Sequence, residues 1–189
     1  MTTQMRLVEA AGHLLDVQGE SAVTLRAVGH AVGLSHNAPY KHFKNRDALL
    51  AAVATADFAA LTTALRKVRN GSKTPRKKLS GALAVLVDYC QARPARYRLI
   101  FMHPELVESD AEFARISSET FAEFLSIVEE CQTVGDLPDL PSLKLVGLIL
   151  ATLHGLLALD STGQLRPQKG LEDVKTSLDF LLKVLAPTR

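Results

Sequence analysis

The stretch that decides the fold is AVGLSHNAPYKHFKNRDALL, residues 31–50. It lies between two apolar helical patterns, yet it is polar and carries a proline at position 39. Just before it, Thr24 is a good N-cap for a short helix that Gly33 would end. Ser35 is then placed to cap a second helix after a turn of only a few residues. Two short helices joined by a tight glycine-bearing turn are typical of a helix-turn-helix.

The second helix divides into an inner and an outer face. Tyr40 and Phe43 are expected to close the apolar inner face, which the first helix supplies with residues spaced three and four apart. Polar or small side chains form the outer face: His36, Asn37, Ala38, Lys41 and His42. Such side chains near the N-terminus of a second helix are suited to the major groove of DNA, where base edges are accessible.

Pro39 falls in the first turn of that second helix. Its missing N–H removes one bond to the carbonyl of Ser35, and its ring disfavours the α conformation for Ala38. We therefore expect a tight or 3₁₀-like turn. Two interpretations stay open: Pro39 stiffens the segment that meets DNA, or it is merely tolerated in a first turn.

The rest of the chain is also helical in pattern, and no convincing strand appears. Gly19 is expected to end a first helix, and Asn45 to cap a long helix. After the turn-rich NGSKTP, residues 70–75, we predict helices over roughly 76–91, 94–102, 109–132, 141–160 and 168–186. The fold class is all-α. A three-helix DNA-binding domain, residues 1–50, precedes a helical ligand-binding and dimerisation domain, residues 51–189.

Charge and composition limit the classes of protein to which this chain can belong. The net charge of +2 divides into +7 for residues 1–78 (12 Lys+Arg, 5 Asp+Glu) and −5 for residues 79–189 (10 and 15). A basic N-terminal part favours a polyanionic partner for that part of the chain, although KTPRKK, residues 73–78, also fits a solvated linker. The two cysteines are far apart and suit a reducing cytosol. The first twenty residues do not resemble a signal peptide, and the longest apolar run is too short to span a bilayer. A cytoplasmic protein without a membrane partner is expected.

From residue 7 to residue 50 the chain resembles the DNA-binding domain of the TetR family of bacterial transcriptional regulators. The similarity rests on EAAGHLLDVQG, VTLRAVGHAVGLS and YKHFKNRDALL. The last of these is similar to the family's Tyr-x-His-Phe-x-x-Lys-x-x-Leu pattern. Pro39 stands where the family usually has leucine, Gly29 and Val32 where it has alanine, and Arg46 where it has lysine.

This resemblance implies which residues contact DNA. Thr24, Tyr40 and Arg46 match positions that contact phosphates, although Tyr40 also fits a core residue. Residues 36–38 and Lys41 match groove-facing positions, which agrees with the ability of Asn to pair with adenine and of Lys to pair with guanine. The candidate DNA-binding residues are Thr24, Ser35, His36, Asn37, Ala38, Tyr40, Lys41, His42, Lys44 and Arg46.

A stripe of small residues runs along the predicted helix 141–160. Gly147, Ala151 and Gly155 permit close approach of another helix. Together with Leu178 and Leu182 of the last helix, they are predicted to form a homodimer interface, which the resemblance also implies. Packing within one chain is the alternative. TLHGLLAL, residues 152–159, resembles the Trp-His-Gly motif of one TetR subgroup, with leucine in place of tryptophan.

The resemblance further implies a small-molecule pocket among the middle helices. The candidate ligand-binding residues are Tyr89, Phe101, Met102, His103, Phe121, Phe124 and His154. Aromatic residues at helical spacing also fit a plain core, and His154 also fits a core histidine. The six histidines show no metal-ligand spacing, so neither a metal nor another cofactor is expected.

These features predict a homodimeric DNA-binding regulator, most simply a repressor released from a palindromic operator by a small-molecule effector. A DNA-binding regulator or architectural protein without a ligand is the main alternative. An enzyme is not expected, because no catalytic constellation or phosphate-binding glycine loop is found. A protein-interaction module would lack DNA binding that depends steeply on salt.

Overall fold

The structure, a computed structural model, describes residues 1–35, 37–102 and 110–187, and every regular element within those ranges is helical. The α-helices are α1 (Thr3–Gln18), α2 (Leu25–Ala31), α3 (Arg46–Arg69), α4 (Pro75–Ala92), α5 (Pro94–Met102), α6 (Ala111–Thr133), α7 (Ser142–Ser161) and α8 (Val174–Leu185). Short 3₁₀ turns span Glu20–Ala22, Pro39–Lys41 and Pro167–Lys169. The all-α prediction is confirmed.

The helices pack into two compact units. The N-terminal unit consists of Met1–Ala60 and Ala92–Ser118, and the C-terminal unit of Leu61–Gln91 and Glu119–Arg189. Helix α3 therefore contributes its first part to one unit and its last part to the other. The division at residue 50 expected from the sequence concerns function rather than packing, and it stays a prediction.

Side-chain caps set the starts of α2 and α3. The Thr24 Oγ1 accepts a hydrogen bond from the Ala27 N–H at 3.1 Å, and the Asn45 Oδ1 accepts one from the Ala48 N–H at 2.9 Å. Each bond satisfies a backbone donor that has no partner inside the helix. Both caps are therefore as predicted. Gly19 ends α1 with φ 82°, a conformation that glycine adopts without strain.

The last helix is shorter than its predicted range, 168–186. It begins at Val174, because Asp173 caps it with Oδ1 accepting from the Thr176 N–H at 3.0 Å. Before this cap the chain makes a 3₁₀ turn that Gly170 closes in the left-handed region, with φ 76°. The amphipathic pattern extended across this turn, so periodicity alone placed the start too early.

A half-buried arginine joins three helices of the N-terminal unit. Arg96 of α5 donates from Nε and Nη2 to the Asp16 carboxylate of α1, at 3.0 and 2.7 Å, and from Nη1 to Asp57 of α3 at 2.9 Å. The guanidinium occupies the space beside Gly12, where a Cβ would lie 2.6 Å from Nη2. The sequence patterns did not predict this network. A glycine inside the first helix was its signal, since such a glycine often marks a close approach.

Candidate DNA-binding surface

The helix-turn-helix of the N-terminal unit is formed by α2 and the segment that follows it. The two are joined at Gly33, whose φ of 71° favours glycine. The Leu34 N–H donates to the Gly29 carbonyl at 2.9 Å and closes the C-terminus of α2. We call residues 35–45 the reading segment.

From Asn37 onward, the reading segment is a series of tight turns rather than a regular α-helix. The Lys41 N–H donates to the Ala38 carbonyl at 3.2 Å, and the His42 N–H donates to the Pro39 carbonyl at 3.0 Å. Bonds between residues three apart are those of a 3₁₀-helix. The expectation of a 3₁₀-like turn at Pro39 is confirmed.

Two details around Pro39 differ from expectation. Ala38 lies in the α region, with φ −62° and ψ −40°, although a residue before proline usually avoids it. The Ser35 carbonyl, which Pro39 cannot bond, instead accepts the Ala38 N–H at 3.0 Å. The proline thus leaves no unpaired carbonyl there. Ser35 was expected to cap a helix with its side chain. It instead accepts the hydrogen bond of this turn with its backbone carbonyl.

Most of the predicted outer face is exposed to solvent. Exposed side chains are those of Asn37, Tyr40, Lys41, His42 and Lys44, whereas Ala38 is half-buried and His36 lies outside the described residues. Tyr40 is 57% exposed, so the expectation that it closes the inner face is wrong. Pro39 is buried instead of Tyr40, and so is Phe43, which is 4% exposed.

Arg46 has a structural role in this unit. Its Nε donates to the Val23 carbonyl at 2.8 Å, and its Nη2 donates to the carbonyl and the carboxylate of Glu20 at 2.7 and 3.1 Å. These bonds tie the first turn of α3 to the loop before α2. Arg46 therefore has a positioning role, because its guanidinium holds that loop, and its predicted phosphate contact stays a prediction.

Cationic side chains surround the reading segment. Arg26 of α2, Lys41 and Lys44 are exposed, and none of them forms an ion pair within the part of the chain that the structure describes. Exposed cations without carboxylate partners give a surface a positive potential. Thr24 is also exposed, and its hydroxyl, which accepts in the cap, retains its own hydrogen for donation.

In the C-terminal unit, α7 and α8 leave an apolar face uncovered. Helix α7 buries one side and exposes the other, where Leu143 and Leu148 are 62% and 65% exposed. The predicted small-residue stripe Gly147, Ala151 and Gly155 is exposed as well, and a Cβ at either glycine would meet nothing within 4 Å. Helices α3 and α7 are each long and apolar enough to cross a membrane, with mean hydropathies of 1.7 and 1.8 over 18 residues. Within those 18 residues, 56% are buried in α3 and 33% in α7.

Helix α8 turns a different pair of side chains outward than the sequence predicted. Leu178 and Leu182 are 2% and 1% exposed, so they pack inside the protomer and cannot meet a second copy. Their assignment to the dimer interface is corrected. Phe180 and Val184, which are 66% and 64% exposed, lie on the outer side. We call Leu143, Gly147, Leu148, Ala151, Gly155, Phe180 and Val184 the apolar face.

The candidate ligand-binding residues are divided between the two units. Tyr89 and Phe124 are buried in the C-terminal unit at 8% and 2% exposure, whereas Phe121 is 38% exposed. Phe101 belongs to the N-terminal unit, where its ring lies 6.0 Å from that of Phe58. The Met102 side chain and His103 lie outside the described residues. His154 is half-buried, and burial lowers its pKa below the usual value.

The C-terminal unit has two further polar features that the sequence analysis did not identify. Buried between α3 and α6, the Thr62 and Thr120 hydroxyls lie 2.7 Å apart, and the buried Glu123 pairs with Arg66 Nε at 2.8 Å and Arg69 Nε at 2.9 Å. A separate groove of about 350 Å³ combines apolar side chains with three lysines and one aspartate. It is lined by Lys73, Lys77, Ser80, Gly81, Leu83, Ala84, Val87, Lys175, Leu178 and Asp179.

Neither metal ligands nor reactive thiols are apparent in the described ranges. No group of three or more His, Cys, Asp or Glu residues is placed there to hold a metal ion. Cys90 and Cys131 are buried as free thiols, and burial raises the pKa of each to about 12. Both thiols are therefore protonated, and poor nucleophiles, at neutral pH.

A helix-turn-helix with an exposed, cationic reading segment, attached to a helical C-terminal unit, defines the class as an all-α DNA-binding protein. Comparison with family models agrees. Residues 7–53 match the model of bacterial regulatory proteins of the tetR family, and residues 79–185 match the tetracyclin repressor-like C-terminal domain. The chain belongs to the TetR family and is a DNA-binding transcriptional regulator. Comparison with curated proteins gave no significant match.

Solved structures share the fold over nearly the whole chain. A protein of unknown function from Rhodococcus sp. RHA1 is 25% identical with a TM-score of 0.84, covering 99% of this chain and 97% of its own. The TetR family transcriptional regulator PfmR from Thermus thermophilus is 16% identical with a TM-score of 0.67, covering 96% and 97%. A protein from Saccharomonospora viridis, described as a transcriptional regulator and solved with choline, is 13% identical with a TM-score of 0.78, covering 98% of each chain.

Proposed function

We propose that this protein is a cytoplasmic homodimeric repressor that binds a palindromic operator and leaves it when a small-molecule effector binds. The observation that carries the DNA-binding part is the reading segment, where Asn37 and Lys41 are exposed beside a tight turn that holds their backbone. Asn and Lys side chains of this length reach base edges in the major groove. Thr24, Tyr40 and Lys44 are the proposed phosphate contacts around them. No enzymatic role is assigned.

The apolar face supports the proposal of a homodimer. A soluble protein rarely leaves side chains as large as Leu148 and Phe180 so exposed on adjoining helices unless a partner covers them. Because Gly147, Ala151 and Gly155 carry little or no side chain, a helix of a second copy can approach α7 closely. A two-fold dimer then presents two reading segments, as two half-sites about 34–36 Å apart require. Doubling the contact also supplies the buried area that specific binding needs.

The effector is proposed to bind in the C-terminal unit. Its support is the family, whose members bind small-molecule effectors, and a fold shared with a regulator solved with choline. The groove between α4 and α8 combines buried Leu83, Val87 and Leu178 with the ammonium groups of Lys73 and Lys77, a lining suited to a small molecule with one apolar and one anionic part. Tyr89 and His154 remain the polar residues proposed for an interior site.

The experiment that tests this function starts from a random DNA pool. The purified protein is used to enrich bound duplexes at physiological salt over several rounds, and the enriched sequence is then titrated by electrophoretic shift against unrelated DNA across a salt series from about 50 to about 300 mM. We expect a palindrome with two protomers per site and an affinity about 10³-fold or more above that for unrelated DNA. Lys44→Ala tests one of the proposed phosphate contacts. Glu172→Gln is its control, because Glu172 is an exposed residue of the C-terminal unit.

Each result separates the candidates. A palindrome bound by two protomers supports the regulator, and loss of that binding on adding an effector from a metabolite panel supports the repressor mechanism. Binding that stays indifferent to every compound, with a compact C-terminal unit, would favour a DNA-binding protein without a ligand. Enrichment of no sequence at any salt would reject specific DNA recognition.

A further inference from the structure

Gly29 and Pro39 make the closest contact between α2 and the reading segment. Gly29 is buried in the middle of α2, and Pro39 is buried in the turn that follows. A Cβ placed on Gly29 would lie 2.7 Å from Pro39 Cγ and 3.3 Å from Cδ. Separations of carbon atoms at van der Waals contact are about 3.5–4.0 Å. The pyrrolidine ring therefore occupies the space in which any other residue at position 29 would carry its side chain.

The ring cannot rotate out of the way as a longer side chain would. Proline is closed onto its own backbone nitrogen, and φ is fixed near about −65°. Its carbonyl also accepts bonds from the His42 and Phe43 N–H groups, both at 3.0 Å. A side chain added at position 29 must consequently push α2 and the reading segment apart, because the ring cannot rotate out of the overlap.

The residues beside Pro39 are those proposed to meet base edges and phosphates. Asn37 and Ala38 precede it, and Tyr40 and Lys41 follow it within two residues. A recognition group must be held within about 0.5 Å of its productive position to keep a directional bidentate bond. To relieve the overlap at Gly29, the segment and α2 would have to separate by more than that tolerance.

We propose that Gly29 and Pro39 form a positioning pair that sets the distance between α2 and the reading segment, and through it the base sequence that this protein prefers. The inference rests on the proposed role of the reading segment in DNA recognition. Glycine inside a helix is unfavourable relative to alanine, so its presence at this contact has a cost that close packing of the ring offsets. The pair touches no base itself and acts by placing Asn37 and Lys41.

Four proteins form a double-mutant cycle that tests the pair: wild type, Gly29→Ala, Pro39→Ala and Gly29→Ala/Pro39→Ala. Glu129→Ala is the control, because Glu129 is an exposed residue of α6 that lies outside the groove lining and the apolar face. For each protein we would measure affinity for the sequence that the wild type enriches, affinity for unrelated DNA, the sequence that the variant itself enriches, and the thermal midpoint.

Support would take a specific form. Gly29→Ala is expected to lose about tenfold to a hundredfold in affinity for the wild-type sequence, the effect of about one misread base pair in the whole site, with affinity for unrelated DNA unchanged. The double variant should recover part of this loss, because an alanine at position 39 has no ring and the new Cβ at position 29 fills the vacated space. Glu129→Ala should match the wild type throughout.

Other results would overturn the inference in distinguishable ways. If Gly29→Ala enriches the wild-type sequence with unchanged affinity, the pair does not set base preference, while the proposed function stands. If Gly29→Ala loses specific and unrelated binding equally and melts at a lower temperature, the contact is only structural. If the wild type itself enriches no sequence, the proposed function fails, and this inference fails with it.

Discussion

The reading segment and helix α7 differ in how their sequences relate to their surfaces. In the reading segment the residue type predicts burial at most positions: Phe43 is 4% exposed, and the polar side chains at 37 and 41 are exposed, while Tyr40, at 57%, is the exception. In α7 it does not, since Leu145 is 2% and Leu148 65% exposed. A helix that is apolar all round does not identify its inner side, because either side could be buried at similar free energy. Burial in α7 is decided by its neighbours.

The largest effect is expected from breaking the apolar face. Leu148→Glu/Phe180→Glu places two carboxylates where a second copy is proposed to pack, and desolvating them would cost more than the contact returns. We expect a monomer whose operator affinity falls about 10³-fold or more, toward the level of unrelated DNA. Analytical ultracentrifugation and electrophoretic shift would measure the two quantities.

Val134→Glu is the matched control, since Val134 is 57% exposed at the end of α6 and outside the apolar face. It should leave the dimer and its DNA affinity unchanged. A Leu148→Glu/Phe180→Glu variant that sediments as a dimer and binds the operator normally would remove this face from the proposed interface.

The next effect concerns the reading segment. Asn37→Ala removes an amide proposed to pair bidentately with adenine, and each such pair is worth about 1–3 kcal/mol of discrimination. We expect the preference at one base pair in each half-site to relax, while affinity for unrelated DNA is kept. Repeating the enrichment with the variant measures this. Equal weakening on every sequence would argue against base reading by Asn37.

Arg46 and Lys44 sharpen the same comparison, because neighbouring cations are expected to act differently. Arg46→Ala should lower the free energy of unfolding by about 1–3 kcal/mol, since its guanidinium bonds hold the loop before α2. Lys44→Ala should leave stability unchanged and reduce the salt dependence of DNA binding by about one counterion. Urea denaturation and a salt series separate the two. An Arg46→Ala protein of wild-type stability would argue against the positioning role.

The smallest effect is a pH dependence in the C-terminal unit. Burial lowers the pKa of His154, so the unfolded chain takes up its proton more readily than the folded protein. The stability contributed by neutral His154 is present above the unfolded pKa of about 6.5 and is lost as pH falls through that value toward the lower folded pKa. Relative to the wild type, His154→Gln should therefore gain stability as pH falls from about 7 to about 5 in thermal melts. Parallel curves for the two proteins would exclude this contribution.

Much of the fold was predictable because its signals are local. Thr24 and Asn45 cap helices through bonds to residues three positions away, and Gly19 and Gly33 lie where the chain needs a positive φ. Such interactions depend on neighbouring residues alone, so pattern and chemistry identify them. The start of α8 was missed because the apolar period continued through the turn closed by Gly170.

The site was predictable in part for the same reason. Exposure of Asn37, Lys41 and Lys44 followed from a motif in which polar and apolar residues have separate positions. The role of Arg46 did not, since its partners, Glu20 and Val23, lie more than twenty residues earlier.

The sequence by itself determined an all-α regulator with a helix-turn-helix, because period, caps and a specific motif are properties of short segments. Only the tertiary structure decided which leucines of α7 and α8 are covered, that Arg96 binds Asp16 and Asp57, and that Pro39 fits against Gly29. These outcomes depend on the distance between segments far apart in the chain. Close packing makes such distances decisive, since a single Cβ at Gly12 or Gly29 would overlap its neighbour.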